Sequence, residues 1–377
     1  MSNQNNKDQN IKELKKSPVY AMSLGSHELF HSNLWAWLMT NYPQSINAVF
    51  GFEVKNVEKA KILREAQNID ITIDCDGEKY IIENKFKSIP YKSQLVGYET
   101  KLVDKFDGGI LTCIEEPNFE FNKDENWQCI LYSDILNNMK EFAENITDDV
   151  YKNILREYIE VTRKTIELIQ NELKKEENNK KLTISAGDFK DYEELRIADI
   201  LRKLQAGKFE SYIKEKLGEV ENLYISSDYS NKNAIINLFF LEVNGEGENK
   251  SHNEIIKKSL YNFAIGVQIE GTQFRVVVSS GGGNQIRLDE LFNKYKDKGW
   301  FDGDFDKTKT SITLLGENRK TSMSPKNNNR YNKYETGKYK FVYQYFNIED
   351  NNFETVTELL KVFLAEAQTL FKSRNEQ

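Results

Sequence analysis

The chain has 377 residues, a formal net charge of −7, 39% hydrophobic and 29% charged residues, which suits a soluble protein with enough apolar side chains for about two domains. No apolar run approaches the roughly 20 residues of a membrane helix. The polar start MSNQNNKDQN lacks the apolar stretch of a secretory signal, so a cytoplasmic protein with no membrane partner is expected. Cys75, Cys113 and Cys129 are odd in number and widely spaced, which fits a reducing compartment and argues against a cysteine-based zinc site.

Residues 1–19 read as a disordered tail. Residues 26–41 predict an amphipathic helix with Phe30, Leu34, Trp37 and Leu38 on its buried face. It contains His27-Glu28-Leu29-Phe30-His31, literally H-E-x-x-H, which can place two imidazoles on one helix face as zinc peptidases require. No third histidine follows at a suitable spacing, since the remaining one is His252, and both histidines flank the apolar stripe. Packing at the helix boundary is therefore preferred for them over metal ligation.

Residues 69–74, IDITID, alternate strictly, so Ile69, Ile71 and Ile73 face one way and Asp70, Thr72 and Asp74 the other. Asp76-Gly77 signals a two-residue hairpin turn, and KYIIENK at 79–85 reads as the returning strand. Glu83 and Lys85, two apart, share a face, so the hairpin brings Asp70, Glu83 and Lys85 together at a sheet edge. A helix over 91–106 puts Gln94 and Tyr98 on one side. Strands at 109–114 and 127–132, a short helix at 133–144 and a long helix at 149–175 follow, the last with Ile154, Tyr158, Val161, Thr165, Ile169 and Leu173 near helical spacing. The charge run KKEENNKK then reads as a linker.

Residues 190–377 read as a second α/β unit: a helix at 191–217, strands at 233–243, 261–269, 273–280, 310–315 and 338–347, and helices at 287–297 and 353–372. The Ser279-Ser280-Gly281-Gly282-Gly283 run lacks Gly-Lys-Ser/Thr, so a Walker site is not supported. Residues 318–340 hold seven Lys or Arg and one acid, interleaved with Tyr331, Tyr334 and Tyr339. Basic groups for phosphates and rings for bases are the ingredients of strand binding, although a plain Lys/Asn-rich loop has the same composition. A net charge of −7 argues against non-specific coating of DNA but leaves room for a local basic groove.

The Asp70, Glu83 and Lys85 set carries the chemistry. Mg2+ takes oxygen ligands, commonly one or two carboxylates. Asp70 and Glu83 can supply these, with the Asn84 carbonyl as a third oxygen. The metal acidifies water and polarises a phosphoryl oxygen, and Lys85 can orient the water and offset transition-state charge. The stretches Asp70-Ile71, Ile81-Ile82-Glu83-Asn84-Lys85 and Gln94-Leu95-Val96-Gly97-Tyr98, with the earlier Glu28, His31-Ser32 and Leu34-Trp35-Ala36-Trp37-Leu38, resemble the PD-(D/E)xK nuclease superfamily over residues 20–140. Ile69 stands where the eponymous proline would be.

The resemblance implies an α/β fold: a restriction-endonuclease-like mixed sheet flanked by helices in residues 20–145, then a long helix and linker to 185, then the C-terminal α/β domain at 186–377. It implies metal-dependent cleavage of nucleic acid, with Asp70 and Glu83 as metal ligands, Lys85 as the catalytic lysine, Glu28 as an accessory acid and Gln94 as a site organiser. Mg2+ is the expected cofactor, with Mn2+ as a substitute. The expected partner is nucleic acid, DNA rather than RNA, contacted by Tyr98, Arg319, Lys320, Lys326, Arg330 and Lys333. The C-terminal domain is expected to serve substrate recognition, a partner protein or a homo-oligomer, and a defence role is the biological setting the resemblance suggests. The alternatives are a nuclease-fold binding or regulatory protein without catalysis and, more weakly, the zinc peptidase.

Overall fold

A computed structural model describes residues 3–23, 27–88, 90, 92–101, 106–117, 119, 121, 126–175, 180–182, 186–230, 233–241, 263–271, 273–280, 288–301, 332–335, 340–347 and 352–376. The chain is α/β with two sheets, and it divides into two compact units: Met1–Lys174 with Ala186–Leu201, and Lys175–Ser185 with Arg202–Gln377.

The first unit opens with α1 (Asn3–Lys16), α2 (Pro18–Ser23), α3 (His27–Asn41) and α4 (Ser45–Phe50). Then come β1 (Lys61–Ala66), β2 (Ile69–Cys75), β3 (Glu78–Lys85), α5 (Lys92–Lys101), β4 (Gly108–Cys113), β5 (Trp127–Leu131), α6 (Tyr132–Ala143), α7 (Asp149–Lys174) and α8 (Ala186–Glu194). The sheet order is β1-β2-β3-β4-β5. β1, β2 and β3 form an antiparallel meander, while β4 and β5 add in parallel. The β2–β3 turn has φ of 52° at Asp76 and 92° at Gly77, the positive values that a two-residue hairpin needs and that Asp-Gly supplies cheaply.

Several expectations change. Residues 3–16 are helical rather than a disordered tail: Ile11 and Leu14 are buried, and Glu13 pairs with Lys164 of α7. The hairpin is not at a sheet edge, because β1 pairs outside β2 and β4 pairs outside β3. β1 escaped detection because an edge strand exposed on both faces has no alternation to read; even its Leu63 is exposed. The inward face of α3 is His31, Trp35, Leu38 and Met39, with Phe30, Leu34 and Trp37 only half-buried. On α7, Leu155, Tyr158, Ile159 and Thr162 turn inward while Ile154 is exposed. The long helix belongs to the first unit, so the boundary expected at residue 145 moves to 174. α8 belongs there too: the Tyr192 hydroxyl donates to the buried Glu172 carboxylate of α7.

The helix expected over 191–217 is broken between α8 and α9 (Ala198–Leu217), where Arg196 takes φ of 52°. The second unit continues with β6 (Leu223–Ser230), β7 (Asn233–Leu241), β8 (Phe263–Glu270), β9 (Gln273–Ser280), α10 (Leu288–Lys296), β10 (Asn332–Glu335), β11 (Lys340–Asn347) and α11 (Phe353–Lys372). Its sheet is antiparallel, five long strands with the short β10 at one edge, ordered β10-β11-β9-β8-β7-β6. Phe209 and Ile213 of α9 and Val356, Leu360 and Phe363 of α11 pack on its Ile236, Leu238, Ile265, Val267 and Val276 face. Lys180 and Lys181, expected in a linker, instead join this unit, Lys180 accepting from the Phe353 amide and Lys181 bridging to Asn352. The expected strand at 310–315 and Gly281–Gly283 lie outside the described residues.

Candidate active site

The ladder between β2 and β3 pairs Ile71 with Ile82; one step further, Asp70 stands opposite Glu83, and opposed residues of antiparallel strands point to the same face. The Asp70 Oδ2 accepts from the Asn84 backbone amide at 2.7 Å. Glu83 is 3% exposed and its carboxylate is heavily bonded. Oε1 accepts from Gln94 Nε2 at 2.7 Å and lies 2.7 Å from Lys85 Nζ; Oε2 accepts from the Tyr98 hydroxyl at 3.0 Å. Gln94 Nε2 also donates to the Tyr98 hydroxyl at 2.7 Å, and that hydroxyl is 3.0 Å from the Asn68 carbonyl. One turn of α5 therefore holds Glu83 through two side chains four residues apart.

Burial, and then the neighbouring Glu83 carboxylate, push the Asp70 pKa up to about 7, against the opposing pull of the Asn84 amide and Lys85. For Lys85, burial lowers the pKa, but Glu83 first, then Glu28 and Asp70, more than reverse this, so the net shift is upward. Lys85 is thus an ammonium near neutral pH, a cation set beside the two carboxylates. The Tyr98 hydroxyl is held neutral by burial and by the Glu83 charge.

Glu28 reaches the site from α3, where Oε1 accepts from the Lys87 amide at 3.2 Å and from the Ser88 hydroxyl. Its carboxylate fastens the segment that leaves β3, and its charge acts on both Asp70 and Lys85. Among the described residues no three His, Cys, Asp or Glu side chains gather closely enough to hold a metal, so the site offers the Asp70–Glu83 pair with Glu28 behind it.

No known family model, curated protein or solved structure matches this chain. What it can do must be argued from its own atoms. The structure brings together Glu28, Asp70, Glu83, Lys85 and Gln94. Tyr98, expected to contact nucleic acid, is instead buried beside Glu83, its hydroxyl spent on Glu83 and the Asn68 carbonyl. Arg319, Lys320, Lys326 and Arg330 lie outside the described residues, and Lys333 is placed only as part of β10.

Sequence reasoning missed the support beneath the site. The Asn84 side chain points to the opposite face from Glu83 and Lys85. It donates to the Glu28 carbonyl at 2.9 Å, and its Oδ1 accepts from the Tyr132 hydroxyl and from Thr112 Oγ1 at 3.3 Å. It ties β3 to α3, α6 and β4. Behind it, His31 Nδ1 lies 2.8 Å from the Tyr158 hydroxyl, which also accepts from Trp35 Nε1 at 2.9 Å. His31 is packed against Phe86 and Tyr132, 2% exposed, an enclosed setting in keeping with packing rather than peptidase chemistry. These partners come from elements up to 127 residues apart in the chain, and no local pattern announces them.

Proposed function

We propose that the first unit is a metal-dependent phosphodiesterase acting on nucleic acid, of the PD-(D/E)xK kind its motifs resemble. The observation that carries this reading is the meeting of Asp70, Glu83 and Lys85 at the ends of β2 and β3, two carboxylates and an ammonium in one buried cluster. The pair fits a hard divalent cation: its donors are oxygens, they sit on paired strands, and the raised Asp70 pKa records a buried like-charge pair that a cation would relieve. Asp70 and Glu83 would hold Mg2+, or Mn2+ in its place. When bound, such a cation makes water more acidic and polarises a phosphoryl oxygen.

The chain's own groups do the rest. Lys85, fixed by Glu83, presents positive charge where negative charge grows on the phosphoryl oxygens. Gln94 and Tyr98 hold the Glu83 carboxylate in one orientation, and Glu28 holds residues 87 and 88 against α3. DNA is favoured over RNA, and a defence role is the setting the motif resemblance suggests. A binding protein without catalysis is the second reading. It draws on the three donors already bonded to Glu83, two on Oε1 and one on Oε2, which hold the carboxylate without any cation.

The deciding experiment is cleavage of labelled double-stranded DNA, single-stranded DNA and RNA in Mg2+, Mn2+ or EDTA, by the full chain and by Lys85→Ala. Metal-dependent cutting that falls by about 100-fold or more in a folded Lys85→Ala, the scale of removing one electrostatic group, is expected. Binding of nucleic acid with no cutting in any metal would transfer the assignment to the second reading.

A further inference from the structure

Asn84 stands between Glu83 and Lys85 on β3, with its side chain on the opposite face of the strand and 1% exposed. A buried amide needs partners for both its donor and its acceptor end. Three groups meet it: the Glu28 backbone carbonyl at 2.9 Å, Thr112 Oγ1 at 3.3 Å and the Tyr132 hydroxyl. Their chemistry fixes which way the amide lies. A carbonyl can only accept, so the atom facing Glu28 is Nδ2, and Oδ1 faces the two hydroxyls. Burial holds the Tyr132 hydroxyl neutral, so it has a proton to give. The two hydroxyls together fill both lone pairs of Oδ1. Tyr132 opens α6, and Thr112 pairs with Asn84 in the β3–β4 register.

We propose that Asn84 is a positioning residue for the Asp70–Glu83 pair, oriented in turn by Tyr132 and Thr112. Its backbone amide donates to Asp70 Oδ2 at 2.7 Å. Where that amide sits decides where the Asp70 carboxylate lies against Glu83, the residue just before it on β3. Its side chain meanwhile holds the main chain of Glu28, whose carboxylate takes the Lys87 amide and the Ser88 hydroxyl. One residue thus sets the place of groups from β2, β3 and α3. Functional groups must be held to about 0.5 Å, which requires that their supports be locked by hydrogen bonds of their own. Aspartate at this position would set an oxygen against the Glu28 carbonyl. Alanine would leave the Tyr132 and Thr112 hydroxyls without their acceptor.

The test separates positioning from mere packing. Tyr158 also supports α3, through His31 and Trp35, so Tyr158→Phe serves as a control that lowers stability by another route. Amide exchange across residues 82–86 is followed by mass spectrometry in the full chain without metal, and Mn2+ affinity is then measured by calorimetry. Asn84→Ala should speed exchange over 82–86 and weaken Mn2+ binding by about 10- to 100-fold, the usual effect of removing a group that orients metal ligands. Tyr132→Phe, which keeps the Glu28 bond, should change both in the same direction by less, and it decides the matter if Asn84→Ala does not fold. Tyr158→Phe should change neither.

Parent-like exchange in the folded variants, or an equal rise in Tyr158→Phe, would overturn the proposal. Faster exchange with Mn2+ affinity kept at the parent value would overturn it as well, since Asn84 would then serve the fold alone. The affinity measurement rests on the phosphodiesterase reading, whereas the exchange does not. A parent chain that binds no Mn2+ would sink that reading, while exchange would still show whether Asn84 fixes its contact with Asp70.

Discussion

Asp70 is subject to two opposed influences. Its position opposite Glu83 suits a shared cation, while the same closeness and its burial favour the protonated acid when no cation is present. With a pKa near 7 in the folded chain against 3.8 as the reference, the native state keeps a proton that the unfolded state has lost. In EDTA this contribution to stability is fully present below about pH 4 and fades as pH rises to about 7, with a slope of at most about 1.4 kcal/mol per pH unit for one proton. Asp70→Asn, which keeps an acceptor for the Asn84 amide, should therefore gain in thermal stability over the parent on going from pH 5 to pH 8. Parallel melting curves across that range would show that Asp70 is not held protonated. Added Mg2+ should raise the melting temperature of the parent at pH 8 more than at pH 5, since a proton and the cation compete for Asp70, and should do little for Asp70→Asn.

Between elements, buried polar side chains fix how helices meet the first sheet. The Tyr158 hydroxyl serves His31 and Trp35 of α3 from α7. Removing it strands two buried polar groups, so Tyr158→Phe should cost roughly 1–3 kcal/mol in chemical denaturation without altering the pH dependence of any cleavage. A stability equal to the parent would show that neither bond matters. Similarly, α1 packs Leu14, 1% exposed, among its neighbours. Leu14→Ala should cost about 2–5 kcal/mol, whereas a tail without structure predicts no change.

At the scale of the whole molecule, the two units are interleaved in sequence. Residues 175–185 belong to the second unit and 186–201 return to the first. A cut after 185 removes Tyr192, Leu195 and Ile197, all buried, and leaves the buried Glu172 without the Tyr192 hydroxyl. A fragment of residues 1–201 should therefore melt cooperatively and at higher temperature than a fragment of residues 1–185. Equal melting would mean that α8 contributes nothing to the first unit. No helix among the described residues is long and apolar enough to cross a membrane, as the hydropathy suggested.

The sequence alone determined the α/β class, the β2–β3 hairpin and the faces on which Asp70, Glu83, Lys85 and Gln94 sit. Those features follow from local rules: alternation with period two, an Asp-Gly turn and a four-residue helical step. Tertiary structure decided that the hairpin is interior rather than at an edge and that Tyr98 braces Glu83. It also decided that Asn84 anchors β3 from beneath and that residues 3–16 are helical. Each of these depends on a partner far along the chain or on an edge strand with no periodicity. Hydrogen bonding and burial across such distances follow from packing, and a local pattern of residue types does not encode them.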